Sequence, residues 1–160
     1  MIDIFSSVPN IYKLSSSNAE GLTLLNAFDV ALLESGVGNT NLVKMSSILP
    51  PNCEYQEEIK LPLGALVPVA YASIVSDKKG QKIAAAVAAA IPKDKTKNGL
   101  IMEYENYDIS KNEAERVVIE MAKWGMDKRG YEIEKIVSIS AEHTVEKYGC
   151  AFACVVLWWK

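Results

Sequence analysis

Residues 36–51, Gly-Val-Gly-Asn-Thr-Asn-Leu-Val-Lys-Met-Ser-Ser-Ile-Leu-Pro-Pro, confine the chain more tightly than any other stretch. Gly36 supplies the left-handed backbone position that ends a helix. Pro50 and Pro51 lack the amide a sheet ladder needs, so no strand continues through them. Between these stops, Asn41–Leu49 reads as one strand, with the polar pair Ser46-Ser47 near its end. By local rules such a pair simply satisfies neighbouring backbone groups.

The rest of the chain can be placed around that stretch. Met1–Val8 alternates weakly and reads as an edge strand closed by Pro9. The Ser-rich run 15–21 reads as a loop. A helix is predicted over Leu22–Ser35, with Thr23 as N-cap and Leu25, Phe28 and Leu32 as its apolar stripe; Asn26, Asp29 and Leu33 share a neighbouring face. After the prolines, residues 50–62 form a polar connection, followed by a strand over Leu63–Ser76 and a turn at 77–80. Gln81–Ile91 is rich in alanine, which favours helix, yet it is short and bounded by a turn and Pro92. It is read as a strand against which something packs closely. Asn98-Gly99 is a hairpin signal leading into a strand over Leu100–Tyr107. A second helix starts at the capping box Ser110-Lys-Asn-Glu113, with Val117, Val118, Met121 and Trp124 as its apolar face and Gly130 past its end. Tyr131–Glu142 and Tyr148–Trp159 read as a C-terminal hairpin. Runs of strands with two segregated helices argue a single α+β domain.

Composition narrows the function by exclusion. A formal charge of −3 over 160 residues offers no basic footprint for nucleic acid. No apolar run reaches membrane length and no signal peptide is evident, so a cytoplasmic location is expected. Cys150 and Cys154 lie roughly 13 Å apart along one strand, too far for a disulfide. With Cys53 they are expected to be free thiols in a reducing compartment. The single histidine, His143, gives no metal cluster. There is no G-x-S-x-G elbow or Walker A loop, and Gly36-Val-Gly38 follows a helix where a dinucleotide fingerprint would precede one. Trp124, Trp158 and Trp159 are expected in the core or at subunit contacts.

Three blocks carry a family resemblance: Leu25-Asn-Ala-Phe-Asp-Val-Ala-Leu-Leu33, Gly36 through Pro51, and Gly99-Leu-Ile-Met-Glu-Tyr-Glu105. In order and spacing, over most of the chain, they resemble the pyruvoyl-dependent arginine decarboxylases. The resemblance implies an αββα sandwich of antiparallel sheets, as in the pyruvoyl-dependent histidine and arginine decarboxylases. It also implies a proenzyme that cuts itself at Ser46-Ser47 into residues 1–46 and 47–160. Ser47 Oγ would attack the Ser46 carbonyl, and β-elimination and hydrolysis would turn residue 47 into a covalent pyruvoyl group. That group would form a Schiff base with the substrate amine and serve as electron sink, in place of PLP or a metal.

The same resemblance assigns the remaining roles. Asn41 would stabilise the processing oxyanion, although about 20 Å of extended strand separates it from Ser47. Either the chain bends sharply or the asparagine comes from a neighbouring subunit, in a homotrimer or dimer of trimers. Glu103 would be the proton donor, provided burial keeps it protonated. Glu105 shares its strand face, so the residues alone leave that choice open. Asp29 would pair with the guanidinium of arginine, and Gly38 would present backbone to the ligand or simply form a tight turn. Met45 stands where a β-branched residue is expected. The activity implied is arginine to agmatine and CO2, for polyamine synthesis. The same chemistry on histidine or ornithine, or an uncut ligand-binding homologue, remains open at this point.

Overall fold

The structure is a computed structural model that describes residues 7–160. The strand expected over Met1–Val8 lies almost entirely outside the described residues; Ser7 and Val8 themselves are not in a strand. The elements run β1 (Ile11–Glu20), α1 (Leu24–Glu34), β2 (Asn41–Lys44), β3 (Ile48–Leu49), β4 (Glu54–Tyr55), β5 (Leu66–Ser76), β6 (Lys82–Pro92), β7 (Gly99–Tyr107), α2 (Lys111–Lys128), β8 (Ile133–Thr144) and β9 (Gly149–Trp158). One sheet has the order β2-β5-β9-β1-β4 and the other β3-β7-β6-β8. The sheets stack face to face with α1 on one outer face and α2 on the other, the αββα sandwich expected. The pairing is antiparallel except for the two edge pairs β1–β4 and β2–β5.

β6 explains the run of alanines. Ile83 through Ala90 are fully buried, with even-numbered residues facing α2 and odd-numbered ones facing the other sheet. A strand covered on both sides gains from small side chains because both layers can approach closely. Here burial between layers overrides helix propensity.

Four sequence expectations need correction. The Ser-rich run is not a loop but most of β1, paired along its length with β9 from Ile11↔Trp158 to Glu20↔Gly149. Its hydroxyls are satisfied by the layers around it: Ser15 donates to the Ser35 carbonyl, Ser17 to that of Ala31, and Ser16 to that of Ser140. Small polar residues in a covered strand resemble a loop by composition alone. The C-terminal hairpin is also absent, since β8 pairs with β6 while β9 pairs with β1 and β5. Residues 145–148 cross between the sheets and are tied down by Glu20, whose carboxylate accepts from the backbone amides of Glu146, Lys147 and Tyr148.

The helices bury only part of the faces expected: Phe28 and Leu32 of α1 pack on the sheet and Val118 of α2 is buried, but Leu25 and Trp124 are not. Thr23 and the Ser110–Glu113 capping box cap α1 and α2 as predicted, and Gly36 is left-handed at φ 78°. However, α1 buries Ala27 and Ala31 and leaves Leu25 74% exposed. Large residues of the sheet beneath, Phe152 and Val69 among them, fill the interface instead. Likewise α2 buries Ala114, Val118, Ala122, Gly125 and Met126, while Trp124 points outward. A Cβ at Gly125 would sit 2.3 Å from Leu100 Cδ2. Small residues thus make the closest contacts, and Leu25 and Trp124, bulky members of the periodic pattern, stay outside.

The fourth correction concerns the opening stretch. Asn41–Leu49 is two strands in different sheets, separated by Met45-Ser46-Ser47. That change of sheet positions the site.

Candidate active site

The chain leaves β2 with the Met45 amide still bonded to the Val69 carbonyl at 2.9 Å. Ser46 is exposed and Ser47 is buried. Ser47 takes φ 80°, a left-handed value costly for a residue with a Cβ. It is held there from two directions by β7. Its carbonyl accepts from the Ile101 amide at 2.8 Å, and its Oγ donates to Glu103 Oε1 at 2.5 Å. Immediately after it, Ile48 and Leu49 pair with Leu100 and Gly99. Gly99 permits this because a Cβ there would meet the Ala90 carbonyl oxygen at 2.6 Å and Leu49 at 3.1 Å.

Glu103 lies opposite Val87 of β6, on the face of β7 that continues the inter-sheet core from Ile101. Burial pushes its carboxyl up from the usual range, and the Ser47 hydroxyl and Lys44 only partly offset that rise. A carboxyl so placed holds its proton to higher pH than a free one. The hydrogen bond to Ser47 separates Glu103 from Glu105, which the residues alone could not. Ser47 itself suits conversion in place into a covalent group: it is buried, its hydroxyl is fixed on a carboxyl, and its main chain is clamped.

The other expected residues take no part in the Ser47 hydrogen bonds, which go to β7. β2 is extended from Asn41 to Lys44, and the chain turns after it, at Met45-Ser46-Ser47, where it changes sheet. The Asn41 side-chain amide instead donates to the Gly64 carbonyl at 2.9 Å. Asp29 is exposed on the outward face of α1, one turn from Leu25 and from Leu33. Gly38 has a steric reason to be glycine, since a Cβ would lie 2.6 Å from the Leu33 amide nitrogen. Sequence reasoning missed Lys44 and Tyr71. The Lys44 ammonium lies 4.5 Å from the Tyr71 ring centroid, and Tyr71 is braced by Phe28 and Phe152. A lysine beside an edge strand gives no sequence signal of this kind.

The three cysteines are free, as expected, and burial pushes Cys154 up to about 12. His143 is occupied structurally, 2.7 Å from Glu20 and 3.0 Å from Asn18. Among the described residues no cluster of His, Cys, Asp and Glu is arranged to hold a metal ion, and no helix is long and apolar enough to cross a membrane. A cavity of about 440 Å³ opens among Tyr12, Cys53, Tyr55, Lys95, Lys97 and Glu134, but neither Ser47 nor Glu103 lines it.

Comparison with known proteins identifies a family. The family model for pyruvoyl-dependent arginine decarboxylase matches residues 12–159. A pyruvoyl-dependent arginine decarboxylase of Methanocaldococcus jannaschii is 55% identical over 156 residues, covering 98% of this chain and 94% of its own. One from Methanococcus maripaludis is 50% identical, covering 95% and 92% of the two chains. One from Thermococcus kodakarensis is 44% identical, covering 94% and 96%. A match of this extent, on a chain that buries Ser47 against Glu103, shows that the protein belongs to the pyruvoyl-dependent arginine decarboxylase family.

Proposed function

We propose that this chain is a self-processing decarboxylase that converts L-arginine to agmatine and CO2, with Ser47 as the precursor of its own catalytic group. The observation that carries the reading is the 2.5 Å hydrogen bond from Ser47 Oγ to Glu103 at a left-handed, buried serine. Processing starts when Oγ attacks the Ser46 carbonyl carbon, and Glu103, already the acceptor of the Oγ hydrogen, is placed to take that proton. The peptide becomes an ester and its nitrogen a free amine on residue 47. Loss of the residue 47 α-proton then expels Ser46 as a carboxylate and leaves dehydroalanine. Its imine tautomer takes up water and releases ammonia. Residues 1–46 and 47–160 are the products.

The pyruvoyl group so formed supplies the electron sink for decarboxylation. Around it, the chain's own residues bind and protonate. Glu103, whose carboxyl burial pushes up, is placed to deliver a proton at the carbon that CO2 leaves. Asp29 is suited to a guanidinium by charge and geometry. In one chain the Asn41 side chain is bonded to the Gly64 carbonyl and Asp29 is exposed on α1, and Leu25, Leu33, Val43 and Leu66 are exposed near them in sequence or by strand pairing. A ring of three copies would bury such a surface and bring those side chains to a neighbour's Ser47. Buried free thiols fit a cytoplasmic setting.

A denaturing gel with intact mass tests the reading, alongside CO2 release from arginine. Wild type should give two fragments cut between Ser46 and Ser47, and Ser47→Ala one uncut species. Glu103→Gln should cut slowly, and its cut form should lose ~10²- to 10⁴-fold in turnover, the usual range for a general acid. A single full-length wild-type species after prolonged heating would overturn the proposal.

A further inference from the structure

The cavity of about 440 Å³ lined by neither Ser47 nor Glu103 opens where the start of β1, the β3–β4 link, the β6–β7 turn and the start of β8 meet. Its chemistry is layered. Tyr12 and Leu49 form the floor, each 2% exposed. Ile91, Pro50 and Pro92 add apolar lining, and the Tyr55 ring meets Tyr12 edge-on with centroids 5.6 Å apart. The Tyr12 hydroxyl has no hydrogen-bond partner among the described residues. Among those residues Trp159 Nε1 is the one unbonded side-chain polar atom sealed from solvent, so the Tyr12 hydroxyl reaches the open space of the cavity. Burial raises Tyr12 and pushes Cys53, which also lines the cavity, up to about 12, so both keep their hydrogens at neutral pH. A buried donor without a partner is a cost that a bound acceptor removes.

The rim is charged, and its charges do not cancel. Both rim acids have lysine partners: Glu134 is held by Lys95, and Glu54 lies 3.8 Å from Lys160. Lys97 and Lys135 form no ion pair among the described residues, and the Lys97 ammonium lies 5.9 Å from the Tyr131 ring centroid. A molecule that fits accepts a hydrogen bond at its inner end, is apolar in its middle and carries negative charge at its outer end. The volume lies in the range of small-ligand sites. We propose that this cavity binds a small organic acid of that kind, with an acceptor oxygen on the Tyr12 hydroxyl, its body on Leu49 and Ile91, and its carboxylate at Lys97 and Lys135. No step of the proposed reaction uses the cavity. Leu49 and Gly99, both in its lining, form the strand pair that follows Ser47, so their amides report an occupant.

The test is a titration of the full chain followed by amide chemical shifts, with para-hydroxyphenylacetate, phenylacetate and tyramine as probes. It is run on wild type and on Ser47→Ala, where a primary amine such as tyramine meets no carbonyl at residue 47. The outcome therefore does not depend on whether the chain cuts itself. The hydroxy acid should bind saturably in the millimolar range expected of a molecule this small, moving the amides of Leu49, Cys53 and Gly99. Tyramine, with the charge reversed, should bind at least about five-fold more weakly, and Lys97→Gln with Lys135→Gln should erase that difference. Tyr12→Phe should weaken the hydroxy acid about three- to ten-fold and leave phenylacetate unchanged, the signature of one hydrogen bond. Cys53→Met, which fills the cavity, should block all three, with unmoved shifts elsewhere showing that the fold is intact. No saturable binding of the hydroxy acid would overturn the proposal, as would shifts confined to other surfaces. So would tyramine binding as tightly as the acid, or Tyr12→Phe and Cys53→Met both binding like wild type.

Discussion

The left-handed backbone at Ser47 can be measured as a free energy. Ser47→Ala and Ser47→Gly both delete Oγ, both leave the chain uncut and both remove the bond to Glu103, so they differ only in a Cβ held at φ 80°. At an ordinary buried extended position, replacing alanine by glycine costs about 0.5–1 kcal/mol of backbone entropy plus ~0.8 kcal/mol for a buried methyl, or roughly 1.5 kcal/mol. Ala85, fully buried in β6 and outside the left-handed region, is such a position. At residue 47 the same loss is offset by release of about 1–2 kcal/mol of left-handed strain. Glycine at 47 should therefore lie within about 0.5 kcal/mol of alanine, while Ala85→Gly in the Ser47→Ala background should cost the full amount. In thermal unfolding, run at matched protomer concentration, the second change should lower Tm by roughly 3–6 °C and the first by no more than about 2 °C. Equal losses at the two positions would refute the reasoning, because residue 47 would then hold no strain for the cut to release.

Two further predictions follow from the fold. Gly38→Ala places a methyl against the Leu33 backbone at 2.6–2.8 Å and should cost roughly 1–3 kcal/mol through overpacking at the end of α1. Loss of turnover at unchanged Tm would instead make Gly38 a ligand-facing position. Glu20 gives a pH signature. Burial alone would raise its carboxyl, but the amides of Glu146, Tyr148 and Lys147 and the His143 ring together lower it from 4.5 to about 2. A depressed carboxylate stabilises the fold above its unfolded pKa and loses that contribution as pH falls through the folded value. Glu20→Gln should therefore be less stable than wild type at pH 7, and the gap should close between about pH 4.5 and 2. A gap that is constant with pH would mean the amides do not depend on the charge.

What the sequence revealed divides along physical lines. Signals that act within one turn or cap were legible: Thr23, the Ser110–Glu113 box and Gly36 all stand where local chemistry places them. Signals that depend on a second layer were not. Ser15, Ser16 and Ser17 look like loop until α1 and β8 supply their acceptors. Leu25 and Trp124 look like core because periodicity counts bulk, whereas the real contacts select Ala31 and Ala122. At the site, family likeness supplied Ser47 and Glu103, and only the fold brought them together. β7 provides both the amide of Ile101 and the carboxyl of Glu103, fifty-six residues from Ser47. Lys44 had no sequence signal because its place over the Tyr71 ring exists only once β2 pairs with β5.

The change of sheet at Met45-Ser46-Ser47 also imposes a direction in time. The segment ending at Ser46 includes β1, an interior strand between β9 and β4, together with α1 and β2. It is therefore woven into the sheet that the later segment builds, and the proposed cut at 46–47 would leave both pieces in place. Before the cut, covalent linkage keeps β1 at an effective concentration of order millimolar with respect to β9. Afterwards the two pieces must find each other at whatever concentration they are present. A cut molecule that unfolds in dilute solution thus has no efficient route home, whereas an uncut one refolds alone. On the proposed self-cleavage, Ser46-Ser47 would be a bond needed once, for assembly, and the molecule that spends it would exchange reversibility for activity.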